Sequence, residues 1–139
     1  MDEASIRAFE ASLAVELPAD YVDFLLRSNG AACGYERAIS LSNGEEVLCD
    51  FLFGLERNDA LCVSFWLKEL SGDLPERCVV IGSSPGGGFF LLQEIADRWS
   101  VWYYDHCHSF ASSSDSENTY VCSIDLQELL RLASLPLDA

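Results

Sequence analysis

Leu17-Pro18-Ala19-Asp20-Tyr21-Val22-Asp23-Phe24-Leu25-Leu26-Arg27-Ser28-Asn29-Gly30 is the stretch on which the reading of this chain turns. Proline suits the first turn of a helix, where its missing N–H has no bond to lose. Tyr21, Phe24, Leu25 and Ser28 recur at helical spacing and predict one face. Asp20 and Asp23 sit near the positive end of the helix dipole. Asn29-Gly30 predicts the stop, because glycine is the usual left-handed cap. The spacing therefore predicts a helix over 18–28. Upstream, Ile6, Phe9 and Leu13 form one apolar stripe and predict a helix over 3–14, with Val15-Glu16-Leu17 as a short break.

Downstream the apolar period becomes two. A strand over 37–42 is expected to reach a turn at Asn43-Gly44, the strongest short hairpin signal. A strand over 45–53 should follow, with Val47, Cys49, Phe51 and Phe53 alternating against Glu46, Leu48, Asp50 and Leu52. Gly54-Leu55 ends it. Asn58 or Asp59 is placed to cap a third helix, with Leu61, Phe65 and Leu70 on its buried side and Trp66 beside them. Ser71-Gly72-Asp73 breaks that helix. Cys78-Val79-Val80-Ile81 predicts a short, wholly apolar strand in the middle of a sheet. The chain turns over 82–88, returns as a strand over 89–94, and adds an aromatic-rich strand over 98–106. The polar, Ser-rich stretch 109–118 reads as a mobile surface loop. Ser123 is placed to cap a last helix reaching Ser134, with Leu126, Leu129, Leu130 and Ala133 on one face. The sum is an α+β fold: a mostly antiparallel, twisted sheet packed against N-terminal and C-terminal helices, as a single domain over 1–139.

Composition narrows the function. A chain of 139 residues fits one ordinary domain. It is 50% hydrophobic and 12% aromatic, which supplies a core and excludes a disordered chain despite the charge. Eight Lys and Arg stand against 23 Asp and Glu, a net charge of −15. Such a surface repels phosphate backbones and anionic lipid heads, so neither nucleic acid nor a membrane is the expected partner. A basic protein would be attracted, although acidity also serves plain solubility. Lys68 is the single lysine, and the seven arginines form no basic run. The six cysteines include no Cys-x-x-Cys pair and sit among apolar neighbours, so they read as reduced core or half-buried thiols. Met1-Asp2-Glu3-Ala4-Ser5 has no signal-peptide character, and no apolar stretch approaches the roughly 20 residues of a membrane helix. The expected compartment is the cytoplasm.

The landmarks so far stand in a particular order. Phe9-Glu10 precedes Leu17-Pro18-Ala19-Asp20-Tyr21, then Phe24-Leu25-Leu26 and Asn29-Gly30. Phe51-Leu52-Phe53-Gly54-Leu55 follows, then Leu74-Pro75, Val79-Val80-Ile81-Gly82 and Gly86-Gly87-Gly88. Val101-Trp102-Tyr103-Tyr104-Asp105-His106 comes last. From Ile6 to Leu132 this resembles the SUKH superfamily in its Smi/Knr-like branch. Two loops depart from the pattern: Ser83-Ser84-Pro85 stands where an acidic or amide residue often precedes the glycines, and the stretch after His106 is unusually rich in serine. The resemblance implies a non-catalytic protein-binding module. Bacterial members look like immunity proteins that neutralise a cognate polymorphic toxin, often a nuclease. Fungal members resemble signalling and cell-wall regulators, so an intracellular regulatory scaffold is the alternative.

Several stretches invite a chemical reading. In Asp105-His106-Cys107-His108, the two histidines would share one side of a strand and could share a metal, with Cys107 pointing away. No third ligand and no base for Cys107 are identifiable, so no catalytic residue and no metal are assigned. A metal-dependent enzyme using His106 and His108 is the lesser alternative. The glycine turn at 82–88 lacks a Gly-Lys-Ser/Thr ending and leads into a strand, so it reads as a hairpin turn and not as a phosphate loop. Ser64, Ser84 and Ser123 lack a Gly-x-Ser-x-Gly elbow. If Val101 and Tyr103 face the helices, Trp102 and Tyr104 face the other way. Trp and Tyr dominate interface energies. The candidate partner surface is therefore Trp102 and Tyr104 with the acids Glu45, Glu46, Asp50 and Asp105. No cofactor is implied, the partner is expected to be a basic toxin domain, and the chain itself is expected to be a monomer or weak homodimer.

Overall fold

Two helices open the chain, as the apolar spacing requires: α1 (Glu3–Leu13) and α2 (Ala19–Ser28). The computed structural model describes residues 1–35 and 37–137. Asp2 caps α1 by accepting from the Ser5 amide at 2.9 Å. Pro18 lies one position before the helix proper, as its N-cap, and its carbonyl accepts from the Val22 amide at 3.1 Å. Tyr21, Phe24 and Leu25 are buried, whereas Ser28 has rotated out to solvent. The left-handed cap is Asn29, at φ 47°, and not Gly30. An asparagine tolerates this conformation, and its side chain has a further use here. Its Oδ1 accepts from the Leu55 amide at 2.7 Å. Gly54 makes the approach possible, since a Cβ there would lie 2.1 Å from the Asn29 carbonyl oxygen.

The strands follow as β1 (Ala31–Cys33), β2 (Ile39–Ser40), β3 (Glu46–Val47) and β4 (Phe51–Leu52). Helix α3 (Val63–Glu69) leads to β5 (Cys78–Ser83), β6 (Phe89–Ile95), β7 (Arg98–Tyr104) and β8 (Thr119–Val121). Helix α4 (Leu126–Leu130) and β9 (Ala133–Pro136) complete the chain. The main sheet has seven strands in the order β8-β7-β6-β5-β4-β1-β9, and each neighbouring pair is antiparallel. β5 lies at its centre, as an apolar run of this kind demands: Val79, Val80 and Ile81 are all buried. β2 and β3 form a separate hairpin turned at Asn43-Gly44, where Gly44 takes φ 88° and the Leu41 amide bonds the Glu45 carbonyl at 2.8 Å. One bridge, Leu41 to Cys122, ties the hairpin to the segment after β8.

Four expectations need correction. The strand expected over 45–53 is broken in two, with β3 in the hairpin and β4 in the main sheet. The burial alternation runs through Cys49 and then loses its phase, because Leu52, Phe53, Gly54 and Leu55 are buried in succession. Helix α3 begins later than Asn58 or Asp59. The Asp59 carboxylate instead closes the preceding turn, accepting from the Leu61 amide at 3.0 Å and pairing with Arg57 at 2.9 Å. Val63 and Leu70 are buried there, while Phe65 is 42% exposed and meets Trp66 edge-on. The last helix is one short turn, capped by Asp125 and not Ser123, in a reciprocal box with Glu128. It ends at Leu130, and Ala133–Pro136 becomes a strand on β1. Short apolar runs fit either period, and β1 offered an edge to be covered. Finally, β7 stops at Tyr104 and not at His106, and β8, unforeseen within polar surroundings, pairs alongside it.

Side chains alternate across β6 and β7 and so sort the core into two layers. Phe90 and Tyr103 meet with ring centroids 5.4 Å apart on one face. On that face Trp99 donates to the Glu16 carbonyl at 3.2 Å, in the link between α1 and α2. The other face carries Phe89, whose ring lies 4.6 Å from that of Trp66 on α3.

Candidate protein-binding surface

β7 places the two aromatics of the expected surface as the alternation requires, but in different states. Trp102 is half-buried, paired in register with Leu91 and Val121, and its indole N–H donates to Ser100 Oγ at 2.9 Å. Val121 beside it is 38% exposed. Tyr104 is only 4% exposed. Its hydroxyl meets His106 Nδ1 at 3.3 Å, and burial, with Asp73 and Cys107 adding to it, pushes the phenol above its ordinary value. Trp102 and Val121 are therefore accessible on this face, whereas Tyr104 is wall.

The acids do not gather around that face. Glu45 and Glu46 are exposed on the β2–β3 hairpin. Asp50 is half-buried just before β4 and accepts a hydrogen bond from the Tyr35 hydroxyl. Asp105 lies in the interior, 1% exposed. Its Oδ1 accepts from the Ser109 amide at 2.9 Å, and its Oδ2 from the Phe110 amide at 2.9 Å and the Ser113 hydroxyl at 2.5 Å. Burial pushes this carboxyl up, but the bonds from Ser113, Phe110 and Ser109, with His108 nearby, outweigh it. The net effect holds Asp105 below the usual carboxylate range. Asp105 is thus spent on its own loop and offers nothing to a partner. The stretch expected to be a mobile loop is tied down by it. Ser112 and Ser113 bond the Tyr120 hydroxyl at 2.9 and 2.8 Å, and Asn43 of the hairpin reaches Ser112 at 3.1 Å.

The tethered loop and the hairpin together frame a recess of about 250 Å³ on the Tyr103 face. Glu46, Leu48, Pro85, Gly86, Tyr103 and Phe110 line it. The Phe110 ring lies between Tyr103 and Tyr120, with centroids 5.9 and 5.8 Å away. The glycine turn is shaped by the same wall, since a Cβ on Gly88 would lie 2.0 Å from the Tyr103 hydroxyl oxygen. Glu46 and Trp102 therefore stand on opposite sides of β7. Phe110 and Val121 were not foreseen. The signal for Phe110 was an aromatic inside a serine run, five residues after an aspartate able to bond two successive amides.

His106 and His108 lie in the turn after β7, not on a strand. His108 has φ 50° and its Nε2 lies 3.8 Å from Asp115 Oδ1, while His106 faces Tyr104. Both line a polar recess of about 390 Å³ with Asp73 and Asn118. Among the described residues, no group of three or more His, Cys, Asp or Glu is gathered closely enough to hold a metal ion.

A seven-stranded antiparallel sheet with helices on both faces makes this an α+β domain. The chain belongs to the SMI1 / KNR4 family (SUKH-1), whose family model matches residues 1–131. At the level of that family its role is that of an immunity protein or a Smi/Knr-like protein, in a group that is generally non-catalytic. No curated protein and no solved structure matches the chain. No described helix is long and apolar enough to cross a membrane.

Proposed function

We propose that this chain is an immunity protein: a cytoplasmic, non-catalytic domain that neutralises a cognate bacterial polymorphic toxin by binding a basic surface on it. The observation that carries the reading is a family match over 1–131 in a chain whose net charge is −15. A field of that sign speeds encounter with a basic partner and repels the nucleic acid that a nuclease toxin would otherwise hold. The contacts divide between the two sides of β7. Glu46 rims the Phe110 recess and, with Glu45 exposed next to it on the hairpin, steers, while Trp102 with Val121 supplies an apolar anchor. Asp50 contributes charge beside Tyr35. The domain acts as a monomer or weak homodimer, and it needs no cofactor.

The test is co-expression with the C-terminal domain of the toxin encoded beside it. The expected result is a stable complex that inhibits the toxin, with an affinity that falls steeply as salt rises. No complex at low salt overturns the reading and leaves the regulatory scaffold of the Smi/Knr type. Trp102→Ala is expected to weaken the complex about tenfold or more, the cost of losing an aromatic anchor. Unchanged affinity with an intact fold would remove Trp102 from the contact.

A further inference from the structure

Two thiols lie side by side in this molecule without being bonded. Cys33, at the end of β1, and Cys49, just before β4, have sulfur atoms 3.1 Å apart. The Cys33 amide bonds the Asp50 carbonyl at 2.9 Å, so the two backbones are already held as neighbours. A disulfide needs about 2.05 Å, an approach of about 1 Å that side-chain rotation supplies. The two residues are 8% and 2% exposed. Both line a cavity of about 20 Å³, whose other walls are Gly34, Tyr35, Arg37 and Leu132. That is room for one water-sized molecule. Cys107 by contrast is exposed, and its thiol faces the Gly87 carbonyl at 3.8 Å.

We propose that Cys33 and Cys49 are a dithiol modification site oxidised to a disulfide by hydrogen peroxide, a small oxidant that reaches the sulfurs through the cavity both line. The Cys33 sulfur attacks one peroxide oxygen. An S–O bond forms, the O–O bond breaks, and the departing hydroxide takes the thiol proton and leaves as water. The Cys49 sulfur then attacks the sulfenic acid, the S–O bond breaks, the S–S bond forms, and the second hydroxide leaves as water with the Cys49 proton. Two electrons pass from the sulfurs to one peroxide. Cys33 is the more exposed of the two, 8% against 2%, which makes it the attacking sulfur and Cys49 the resolving one. The bond would close the loop that carries Tyr35, Arg37 and the hairpin with Glu45 and Glu46.

The experiment uses the full chain with Cys107→Ser, which removes the exposed thiol. The protein is treated with peroxide, alkylated in denaturant and mapped by mass spectrometry. The expected product is lighter by two hydrogens, links the Cys33 and Cys49 peptides, and is reversed by dithiothreitol. It should also melt higher by roughly 10 °C, as closure of a loop of this length implies. In the same background, Cys49→Ser should leave a sulfenic acid on Cys33 that dimedone captures. Recovery of both residues as free thiols, at a dose that oxidises Cys107 in the unmodified chain, overturns the proposal. So does a lower melting temperature of the oxidised form. Equally fast oxidation by glutathione disulfide would overturn the size-selected oxidant.

Discussion

Glu10 and Asp105 are the two buried carboxylates among the described residues, and each holds a reversal of the chain by different means. Glu10 sits in α1. Its Oε2 accepts from the Leu17 amide at 2.7 Å, which fixes the entry to α2, and its Oε1 takes the Arg7 guanidinium at 2.6 Å. Asp105 ends β7 without a guanidinium. It relies on two amides and a hydroxyl from the eight residues that follow it. One is a bolt between helices with a cation at its back. The other builds the loop on which Phe110 and Ser109 of the hairpin recess, and His108 and Asp115 of the polar recess, depend. A buried carboxylate is stable where donors meet each oxygen, and that condition leaves it no capacity for chemistry or contact. Only one of the two supports the candidate surface.

The largest expected effect tests that asymmetry. Asp105→Ala should cost about 3 kcal/mol in urea unfolding, since it strands two amides and a hydroxyl in the interior. Asp105→Asn keeps the shape but turns an acceptor into a donor facing donors, and should cost about 2 kcal/mol. Both should weaken the partner complex through Phe110. Glu10→Gln should cost about 1 kcal/mol, because an amide oxygen can still accept from Leu17. It should leave partner affinity unchanged, for no residue of the α1–α2 link lines either recess. Equal losses of affinity in the Asp105 and Glu10 variants would break the comparison.

The acid limb of stability sharpens it further. Asp105 is held below the usual carboxylate range in the folded chain, so its folded value lies below its unfolded value of about 3.9. Such a group contributes stability above the unfolded value and loses it as pH falls through the folded one. The unmodified protein should therefore lose stability steeply below about pH 4, and Asp105→Asn should flatten that loss. Chemical denaturation at a series of acidic pH values measures both slopes. Parallel slopes would mean that other carboxylates carry the acid limb.

The same pair shows what the sequence could and could not tell. Helices α1 and α2, the Asn43-Gly44 hairpin and the strands from Cys78 to Tyr104 were legible because their periods are local. Glu10 and Asp105 were not recognisable as buried, because burial of a carboxylate depends on donors that a spacing rule does not see. Asp105 therefore read as an acid on a surface. Where apolar residues satisfy both periods, as at Leu132 to Leu135, the decision went to an unfilled edge on β1, a partner more than a hundred residues away. The site suffered most, since Glu46 and Trp102 meet its description separately but lie on opposite sides of β7. Alternation within β7 was readable, but the path of the hairpin across its other face was not.

A third buried polar group sets an effect no larger than that of Glu10 and reverses its sign. The Tyr21 hydroxyl is buried without a hydrogen-bond partner among the described residues, while its ring stacks on Phe24 at 6.2 Å. Burial, with Cys62 beside it, drives the hydroxyl far above the ordinary phenol value. Tyr21→Phe keeps the ring and removes the atom that gave up water for nothing, so it should stabilise the fold by about 1 kcal/mol. If buried polar atoms in this core are worth their partners and no more, Asp105→Asn and Tyr21→Phe must shift the urea midpoint in opposite directions. A destabilised Tyr21→Phe would mean that the hydroxyl has found a partner, with the Cys62 thiol the candidate, and Cys62→Ala would then have to be destabilising too.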